Sequence, residues 1–212
     1  MKPYLKIEKQ PLPFHVERSF FKALNHTAKE HGYSGILYRT RFLMARTKDH
    51  WLQVFSRILP FNGIRVKMQK WRGVNIGKDV HIGPMVTIDD VYPYFVSIGE
   101  GSSIAGQNFI LTHTKPLKYH SEVSDAYVAP VVIEKNVWVA INVVVLPGVT
   151  IGEGSIVASG SVVTGTIPPM VFAAGTPARV KKDISEKLKK NYTTEEFELL
   201  LKRRKEEFGW TD

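Results

Sequence analysis

A six-residue repeat is the feature that most constrains the fold of this chain. Between Ile133 and Pro168 the sequence divides into six consecutive hexads, and each hexad begins with Ile or Val. The fifth residue of each hexad is Val, Ser or Ile. A period of six does not fit an α-helix of 3.6 residues per turn, and it is typical of a parallel β-helix. Because the first and fifth residues share a parity, we expect both to point into the core.

The same six-residue frame extends toward the N-terminus through six further hexads. Only residues 94–97 and 116–132 interrupt the frame, and both interruptions fall between blocks of eighteen residues. If three hexads form one triangular turn, the sequence predicts four coils, with both insertions leaving the prism at the same corner. The six additional hexads begin at Ile76, Ile82, Ile88, Ile98, Ile104 and Ile110.

Composition narrows the class of protein. The 212 residues can form one substantial domain with appendages, and a hydrophobic fraction of 43% is ordinary for a globular chain. The absence of cysteine excludes disulfides, thiol nucleophiles and cysteine-ligated zinc. No apolar run approaches the ~18 residues of a membrane span, and the charged N-terminus lacks the apolar core of a signal peptide. We therefore expect a cytoplasmic protein.

Several ordered phrases resemble the left-handed β-helix acyltransferases of the hexapeptide-repeat superfamily. The likeness is closest to the galactoside, maltose and surface-polysaccharide O-acetyltransferases, and it extends over residues 64–184. The resemblance implies a mainly β fold, a left-handed parallel β-helix with an N-terminal helical segment and C-terminal helices. The left hand comes from the resemblance alone, since it runs against the usual right-handed crossover rule. The phrases are Leu111-Thr112-His113, Asn136-Val137-Trp138, Leu146-Pro147-Gly148-Val149-Thr150-Ile151-Gly152, Gly160-Ser161-Val162-Val163-Thr164, Ile167-Pro168-Pro169 and Ala174-Gly175-Thr176-Pro177-Ala178-Arg179-Val180.

The resemblance also implies an activity. A similar protein would be a homotrimeric acetyl-CoA-dependent O-acetyltransferase that modifies a sugar hydroxyl of a glycan or glycan precursor by direct transfer, without a metal. In such enzymes the active sites lie between neighbouring prisms. Three alternatives are weighed against this one: a small non-sugar acceptor such as an amino acid or antibiotic, a non-catalytic scaffold, and a γ-class carbonic anhydrase. The last would need His81, His113 and His120 around zinc, and His81 begins a different face from His113.

His113 is the candidate general base. It holds the fourth place of the hexad that begins at Ile110, where parity predicts an outward side chain, and the long insertion follows it. Acetyl transfer to an alcohol needs a group that takes the hydroxyl proton, and histidine titrates in a suitable range. In the resembling enzymes a histidine in a Thr-His phrase before a long loop has this role.

Three carboxylates are candidates for binding the acceptor or orienting the imidazole. The frame stacks the hexad of Ile88 below that of Ile110, which places Asp89 and Asp90 one coil, ~4.8 Å, below Leu111 and Thr112. Parity predicts that Asp89 points outward. Glu122 belongs to the long loop. Paired aspartates at a corner are also ordinary turn chemistry, so a structural role stays open.

The resemblance further implies a coenzyme groove along the prism. Trp138 matches the tryptophan that borders the acetyl site, and the backbone N–H groups of Ala140 and Ile141 match oxyanion and pantetheine contacts. Arg179 and Lys182 match basic residues that meet the coenzyme phosphates. Small residues at these corners are also what turn geometry alone would select. The full set of coenzyme-binding candidates is Trp138, Ala140, Ile141, Ala158, Ser159, Thr164, Arg179 and Lys182.

The formal charge of +9 points to an anionic partner. Many basic residues follow residue 178, but acidic residues interleave with them, as on a solvated helix face. An alternative interpretation is a field that attracts a polyanionic ligand, and coenzyme A would suit it. Nucleic acid is not expected, because no helix-turn-helix, RNA-recognition or zinc motif is present.

The chain divides into three predicted segments. Pro168-Pro169 is expected to stop the ladder, and Thr193 with Glu196 predicts a capping box for a C-terminal helix. The N-terminal segment is interpreted as a cap on the open end of the β-helix, and the alternative is a basic amphipathic surface in peripheral contact with a membrane. The segments are residues 1–63 (arm and helical cap), 64–180 (β-helix, with the loop 116–132) and 181–212 (C-terminal helices).

Overall fold

The computed structural model describes residues 6–14 and 20–210. Its centre is a parallel β-helix in which most strands are only two or three residues long. The strands are short because the aliphatic first residue of each hexad enters the core and the chain then turns a corner. At most corners the fourth residue of the hexad has a positive φ, as at Asn142 (59°) and Gly148 (84°), which favours Asn and Gly.

Three ladders of parallel strands form the faces of the prism, and each coil passes through the first, second and third face in turn. The first face contains β2 (Asn75–Ile76), β5 (Val96–Ile98), β10 (Val131–Ile133) and β13 (Thr150–Ile151). The second contains β3 (His81–Ile82), β6 (Ser103–Ile104), β11 (Trp138–Val139), β14 (Ile156–Val157), β16 (Val171–Gly175) and β17 (Ala178–Asp183). The third contains β4 (Thr87–Ile88), β7 (Phe109–Ile110), β12 (Val144–Val145) and β15 (Val162–Val163).

The residues predicted to point inward form the core. From Ile76 to Ile167 every first-place and fifth-place residue is buried, except Thr114, which lies where the chain has already left the prism. Full burial of an aliphatic side chain stabilises the fold by roughly 1.5–3 kcal/mol. Polar residues at the fifth place bond to the backbone, as Ser155 Oγ does when it donates to Pro168 O at 2.6 Å. The hexad frame is confirmed.

The ladder has four full coils and continues beyond them. Ile167 forms a parallel bridge with Ile151, β16 pairs in parallel with β14, and β17 folds back antiparallel on β16. The expectation that Pro168-Pro169 stops the ladder is therefore wrong. The prolines are tolerated because this is the last rung of the first face, where no further strand needs an N–H group.

Helices close the N-terminal end of the prism. α1 (Phe20–Glu30) packs on α2 (Tyr38–Ile58), which forms a hairpin with α3 (Asn62–Trp71). Val66 packs against the core, and Arg65 Nε donates to Ile82 O at 2.6 Å, so α3 is fixed across the open end of the coils. The helical part extends past the predicted limit at residue 63, and the first strand begins only at Asn75. No helix in the described ranges is long and apolar enough to cross a bilayer.

A second group of helices closes the other end. α4 (Ser185–Leu188) leads through a 3₁₀ turn, Lys189–Asn191, to α5 (Thr194–Phe208). The capping box at the start of α5 is confirmed, because the Thr193 N–H donates to Glu196 Oε2 at 2.9 Å and the Glu196 N–H to Thr193 Oγ1 at 3.3 Å. β17 runs to Asp183, so the helices begin after the predicted limit at residue 181.

Both insertions leave the prism at the corner between the third and first faces, as predicted. The first carries the 3₁₀ turn Pro93–Phe95 and the second carries Lys118–His120. A small antiparallel sheet covers this corner. It consists of β1 (Gln10–Pro11), β9 (Tyr127–Val128) and β8 (His113–Thr114), in that order.

Candidate active site

His113 lies at the corner where the second insertion begins. β8 follows directly after β7 but pairs with β9 of the insertion, which lifts His113 off the prism. His113 Nδ1 lies 2.6 Å from Asp89 Oδ2. The His113 side chain keeps 25% of its exposure, and that of Asp89 has none. A carboxylate on one ring nitrogen fixes the tautomer and the ring orientation, which leaves the second nitrogen as the proton acceptor.

Parity predicted that the Asp89 side chain points outward, and this prediction is wrong. Asp89 is only 2% exposed. Its Oδ1 accepts the N–H groups of Val91 and Tyr92 at 2.8 and 2.9 Å, and its Oδ2 accepts that of Thr112 at 2.9 Å. Parity fails because Asp89 follows the last residue of β4, and its carboxylate turns back to cap the first insertion. The structure therefore joins Asp89 to His113 and leaves its carboxylate buried.

Asp89 carries a permanent negative charge next to the imidazole. Burial alone would raise the pKa of Asp89, but the hydrogen bond and charge of His113, together with backbone N–H groups, lower it to about 2. The carboxylate is therefore ionised throughout the neutral range. A fixed negative charge here stabilises the positive charge that develops on the ring when it takes a proton.

Two aromatic residues that sequence reasoning missed lie behind this pair. The Tyr92 ring is edge-on to His113, with centroids 5.3 Å apart, and stacks on the buried His31 at 5.5 Å. Burial, reinforced by Glu30, raises the pKa of Tyr92 above its usual range. Burial and the charge of Arg46 lower the pKa of His31 to about 4, so both rings are neutral near pH 7. Tyr92 could have been found from the sequence, because it holds the fifth, inward-pointing place of the hexad that begins at Ile88.

Asp90 contacts Arg72 instead of the imidazole. Arg72 Nη2 lies 3.3 Å from Asp90 Oδ1 and donates to Asp89 O at 2.8 Å. Burial lowers the pKa of Arg72 to about 10, which leaves it charged at neutral pH. Arg72 thus holds the corner that carries the orienting carboxylate. Glu122 is exposed in the long loop, and within the described residues no ion pair or hydrogen bond joins it or Asp90 to His113.

A cavity of about 130 Å³ opens between the α2–α3 hairpin and the first insertion. Arg72 and His31 both line it, so it adjoins the groups that support the His113–Asp89 pair. Its other walls combine aromatic rings with cations: Tyr33, Phe42, Trp71, Tyr94, Arg46, Lys48 and Lys70.

Five of the eight coenzyme-binding candidates lie in the ladder of the second face. Trp138 pairs with Ile156, which pairs with Phe172, which pairs with Lys182, so these four side chains form one column. In the next column the ladder stacks Ala140, Ala158 and Ala174, and Ala174 pairs with Arg179. Trp138 is 51% exposed, and Arg179 and Lys182 are exposed. The face thus offers an aromatic residue, a strip of small residues and two cations at its C-terminal end. Ile141 and Ser159 lie at the corner after it.

The N–H group of Ala140 is not available to a ligand. It donates to Val157 O at 2.9 Å, and the Ala158 N–H donates to Ala173 O at 2.9 Å, so both belong to the ladder. The predicted oxyanion contact through Ala140 is therefore wrong, because stacking a further coil above it uses the donor. The Ile141 N–H makes no backbone hydrogen bond to any residue within 6–14 or 20–210.

Thr164 lies apart from the other coenzyme candidates. It follows β15 at the third corner, in the column of Leu111 and therefore on the side of His113. In a triangular prism that corner is opposite the second face. Within one chain the structure therefore does not bring His113 together with Trp138 or Arg179.

The histidines required by the carbonic anhydrase alternative do not form a metal site in the described part of the chain. No group of three His, Cys, Asp or Glu side chains there is arranged to hold an ion. His81 lies on β3 in the second face, opposite the corner of His113.

Comparisons with known proteins agree with this architecture. Residues 130–165 match the family described as bacterial transferase hexapeptide (six repeats). A galactoside O-acetyltransferase of Escherichia coli K12 is 38% identical over 125 residues, which are 55% of this chain. The match covers 60% of that relative's own length, and a putative acetyltransferase of Schizosaccharomyces pombe, also 38% identical, is covered over 51% of its length.

Solved structures superpose on most of the chain. A maltose O-acetyltransferase from Clostridium difficile 630 superposes with a TM-score of 0.54 and 25% identity, covering 67% of this chain and 87% of that one. A galactoside acetyltransferase in complex with coenzyme A superposes with a TM-score of 0.51 and 27% identity, covering 69% and 84%. The chain therefore folds as a left-handed parallel β-helix with helices at both ends, and its resemblance to the hexapeptide-repeat acyltransferases is confirmed.

Proposed function

We propose that the chain is an acetyl-CoA-dependent O-acetyltransferase that modifies a sugar hydroxyl of a glycan or glycan precursor, with His113 as general base. The observation that carries the proposal is the 2.6 Å contact between a partly exposed imidazole and a buried, ionised Asp89. This is the arrangement that general-base catalysis requires, and a purely structural histidine does not need it.

The reaction follows from that geometry. The ring nitrogen of His113 that faces away from Asp89 takes the proton of the acceptor hydroxyl while its oxygen attacks the thioester carbonyl. The C–S bond then breaks, the imidazolium returns the proton to the departing thiolate, and the products are an acetyl ester and free coenzyme A. Asp89 stays ionised throughout and holds the ring. No covalent acyl-enzyme is needed, in keeping with a chain that has no cysteine.

The coenzyme would lie along the second face. Trp138 borders the acetyl end, the column Ala140, Ala158 and Ala174 lets the pantetheine arm approach the backbone, and Arg179 with Lys182 meets the phosphates. The galactoside acetyltransferase that superposes on this chain was solved with coenzyme A, which supports this assignment.

The active site would be completed by a second copy of the chain. The corner of His113 and the face of Trp138 lie on opposite sides of one prism. One chain alone therefore does not bring the two halves of the proposed site together. A closed three-fold assembly places the corner of each chain against the second face of the next. We therefore propose a homotrimer, and light scattering at the mass of one chain would contradict it. The cytoplasmic location and the role in polysaccharide biosynthesis stay predictions.

The direct test is a thiol-release assay with acetyl-CoA across a panel of acceptors. Galactosides, maltose, amino acids and hydroxylated antibiotics are compared with a reaction without acceptor, and products are identified by mass spectrometry. We expect acetyl esters of sugars only. Esters of amino acids or antibiotics alone would favour the small non-sugar acceptor, and no release with any acceptor would contradict the activity. Activity should also survive dialysis against a chelator, whereas a loss that zinc alone restores would favour the carbonic anhydrase alternative.

A further inference from the structure

The positive charge of this protein is concentrated at one end of the prism. The segment 38–71, which contains α2 and α3, has eight basic residues and one acidic residue, Asp49. It therefore carries seven of the nine net positive charges of the chain. In the C-terminal segment, where basic residues are also frequent, acidic residues nearly balance them. An electrostatic field directed at a partner thus originates mainly from the hairpin.

The hairpin also exposes seven large apolar side chains, and we call this set the outer face. On α2 the residues Met44, Trp51, Phe55 and Ile58 follow helical spacing along one side. Each residue of the outer face is between 40% and 68% exposed. The outer face consists of Met44, Trp51, Phe55, Ile58, Phe61, Ile64 and Trp71.

The buried residues of α2 and α3 are polar except Phe42. Gln69 Nε2 donates to Gln53 Oε1 at 2.9 Å and to Ser56 Oγ at 2.7 Å, and Arg72 Nη1 donates to Gln69 Oε1 at 2.7 Å. All four residues are buried. This order, polar inside and apolar outside, is the reverse of a helix that faces water. Large exposed apolar surfaces of this kind mark sites of contact with a membrane or a protein.

We propose that the outer face rests on a lipid bilayer with anionic headgroups. Tryptophan and aliphatic side chains bordered by lysine and arginine are the composition of helices that lie in the membrane interface. Exposed cations lie within one helical turn of outer-face residues, at Arg41 and Lys48 on α2 and at Lys67 on α3. Lys70 is also exposed on α3. A second copy of the hairpin is a poor occupant, because two surfaces of charge +7 would repel each other.

The docked orientation would bring the His113–Asp89 pair close to the bilayer. Arg72 follows the end of α3 and contacts the backbone of Asp89 at 2.8 Å, which joins the hairpin to the base of the site. His113 lies one coil further, so the pair is within roughly 10 Å of the hairpin. A lipid-linked acceptor would be within reach. The docking itself does not depend on the proposed acetyl transfer.

Vesicle flotation of the 212-residue chain tests the proposal. Vesicles of phosphatidylcholine with about one-third phosphatidylglycerol are compared with vesicles of phosphatidylcholine alone. We expect the chain to float with the anionic vesicles at low salt, with an affinity that falls about tenfold or more at high salt. Failure to bind the anionic vesicles at low salt would overturn the proposal.

Paired variants separate docking by this surface from general charge attraction. Trp51→Ala with Phe55→Ala should lower the affinity for anionic vesicles about tenfold or more, because it removes inserted apolar area. The control Leu199→Ala removes an apolar side chain that is 65% exposed on α5, and it should leave the affinity unchanged. Lys67→Glu with Lys70→Glu should also lower the affinity about tenfold. Lys190→Glu with Lys205→Glu changes the net charge equally, and an equal loss there would overturn the assignment to the hairpin.

The same variants test the second copy as the occupant. If the wild-type chain ignores anionic vesicles while Trp51→Ala with Phe55→Ala changes its mass in solution, the outer face is an interface between copies. Circular dichroism checks that each variant is folded, which we expect because the substituted side chains are exposed.

Discussion

The two helical caps of this prism close its ends in opposite ways. α5 buries Phe197 and Leu200 against Met170 and leaves most of its charged side chains exposed. Arg204 is the exception, since it is buried and pairs with Asp183. The α2–α3 hairpin buries a hydrogen-bonded polar network and exposes Trp51, Phe55, Phe61 and Trp71. Apolar burial is sufficient to hold a cap, as α5 shows. The hairpin therefore leaves its apolar side available for something other than folding.

The caps also divide the proposed chemistry. The hairpin adjoins the His113–Asp89 pair through Arg72, whereas α4 and α5 follow directly after the strand that carries Arg179 and Lys182. Substitutions at one end should change the transfer step, and those at the other should change coenzyme binding or stability. The predictions below test this division, beginning with the largest effect.

Removing the base should affect turnover and spare the coenzyme. His113→Ala should lower kcat by roughly two to four orders of magnitude, the usual contribution of a positioned general base, because nothing then takes the hydroxyl proton. The Kd for acetyl-CoA should barely change, since the proposed groove lies on the second face. His113→Asn should be nearly as poor, and His50→Ala, an exposed histidine on α2, is the control. Steady-state kinetics and calorimetry measure both quantities, and wild-type turnover in His113→Ala would end the general-base proposal.

The two caps should differ in how much their aromatic residues contribute to stability. Phe197→Ala should lower the free energy of unfolding by about 3–5 kcal/mol, because it opens a cavity between α5 and Met170. Trp51→Ala removes a larger but exposed ring and should cost less than about 0.5 kcal/mol. Urea unfolding at one fixed protein concentration compares them. Equal losses would mean that the outer face stabilises the hairpin and is not reserved for a partner.

The regular part of the fold was predictable because its cause is local. An aliphatic residue every six positions can be buried only if each hexad forms one side of a coil, so the spacing of Ile76, Ile82 and Ile88 fixes the core directly. Both insertions kept to one corner for the same reason. Left-handed coiling is different, since nothing in the spacing selects it and only the resemblance supplied it.

The irregular parts depended on contacts that spacing does not encode. The orientation of Asp89 is set by the N–H group of Thr112, 23 residues away in sequence, so a parity rule could not place it. The buried side of α3 is polar, with Gln69 on the helix and Arg72 directly after it. A search for a buried apolar stripe therefore does not detect this helix. His113 was predicted as the base because a phrase carried it, and the neighbouring Tyr92 was missed because no phrase did.

Acid should weaken the native state through Asp89 at the hairpin end more than through Asp183 at the other end. The pKa of Asp89 is about 2 in the folded chain against 3.8 for the free side chain, so the ionised form is the one that folding favours. Its contribution, about 2 kcal/mol, is present above pH ~4 and is lost as the pH falls toward 2. The pKa of Asp183 is also about 2, since Arg204 outweighs the effect of burial, but this carboxylate is more exposed and should contribute less. Unfolding free energies between pH 5 and pH 2 should fall less steeply for Asp89→Asn than for wild type, and a parallel pH dependence would contradict the assignment.

The smallest effect should come from substituting the proposed phosphate-binding residue Arg179. It should change the KM for acetyl-CoA and not kcat, whereas His113→Ala should change kcat and not coenzyme binding. Arg179→Ala should raise the KM for acetyl-CoA several-fold while kcat at saturation stays near wild type, because a phosphate contact binds ground state and transition state alike. The deficit should be larger at low salt than at high salt, since salt screens the lost attraction. Lys190→Ala, an exposed cation beyond α4, is the control and should change neither constant. Because Arg179 and His113 are on opposite sides of the prism, the double variant should combine the two losses additively. A KM for acetyl-CoA that is unchanged at every ionic strength would remove β17 from the coenzyme site, and would leave the chemistry of this chain resting on the hairpin end alone.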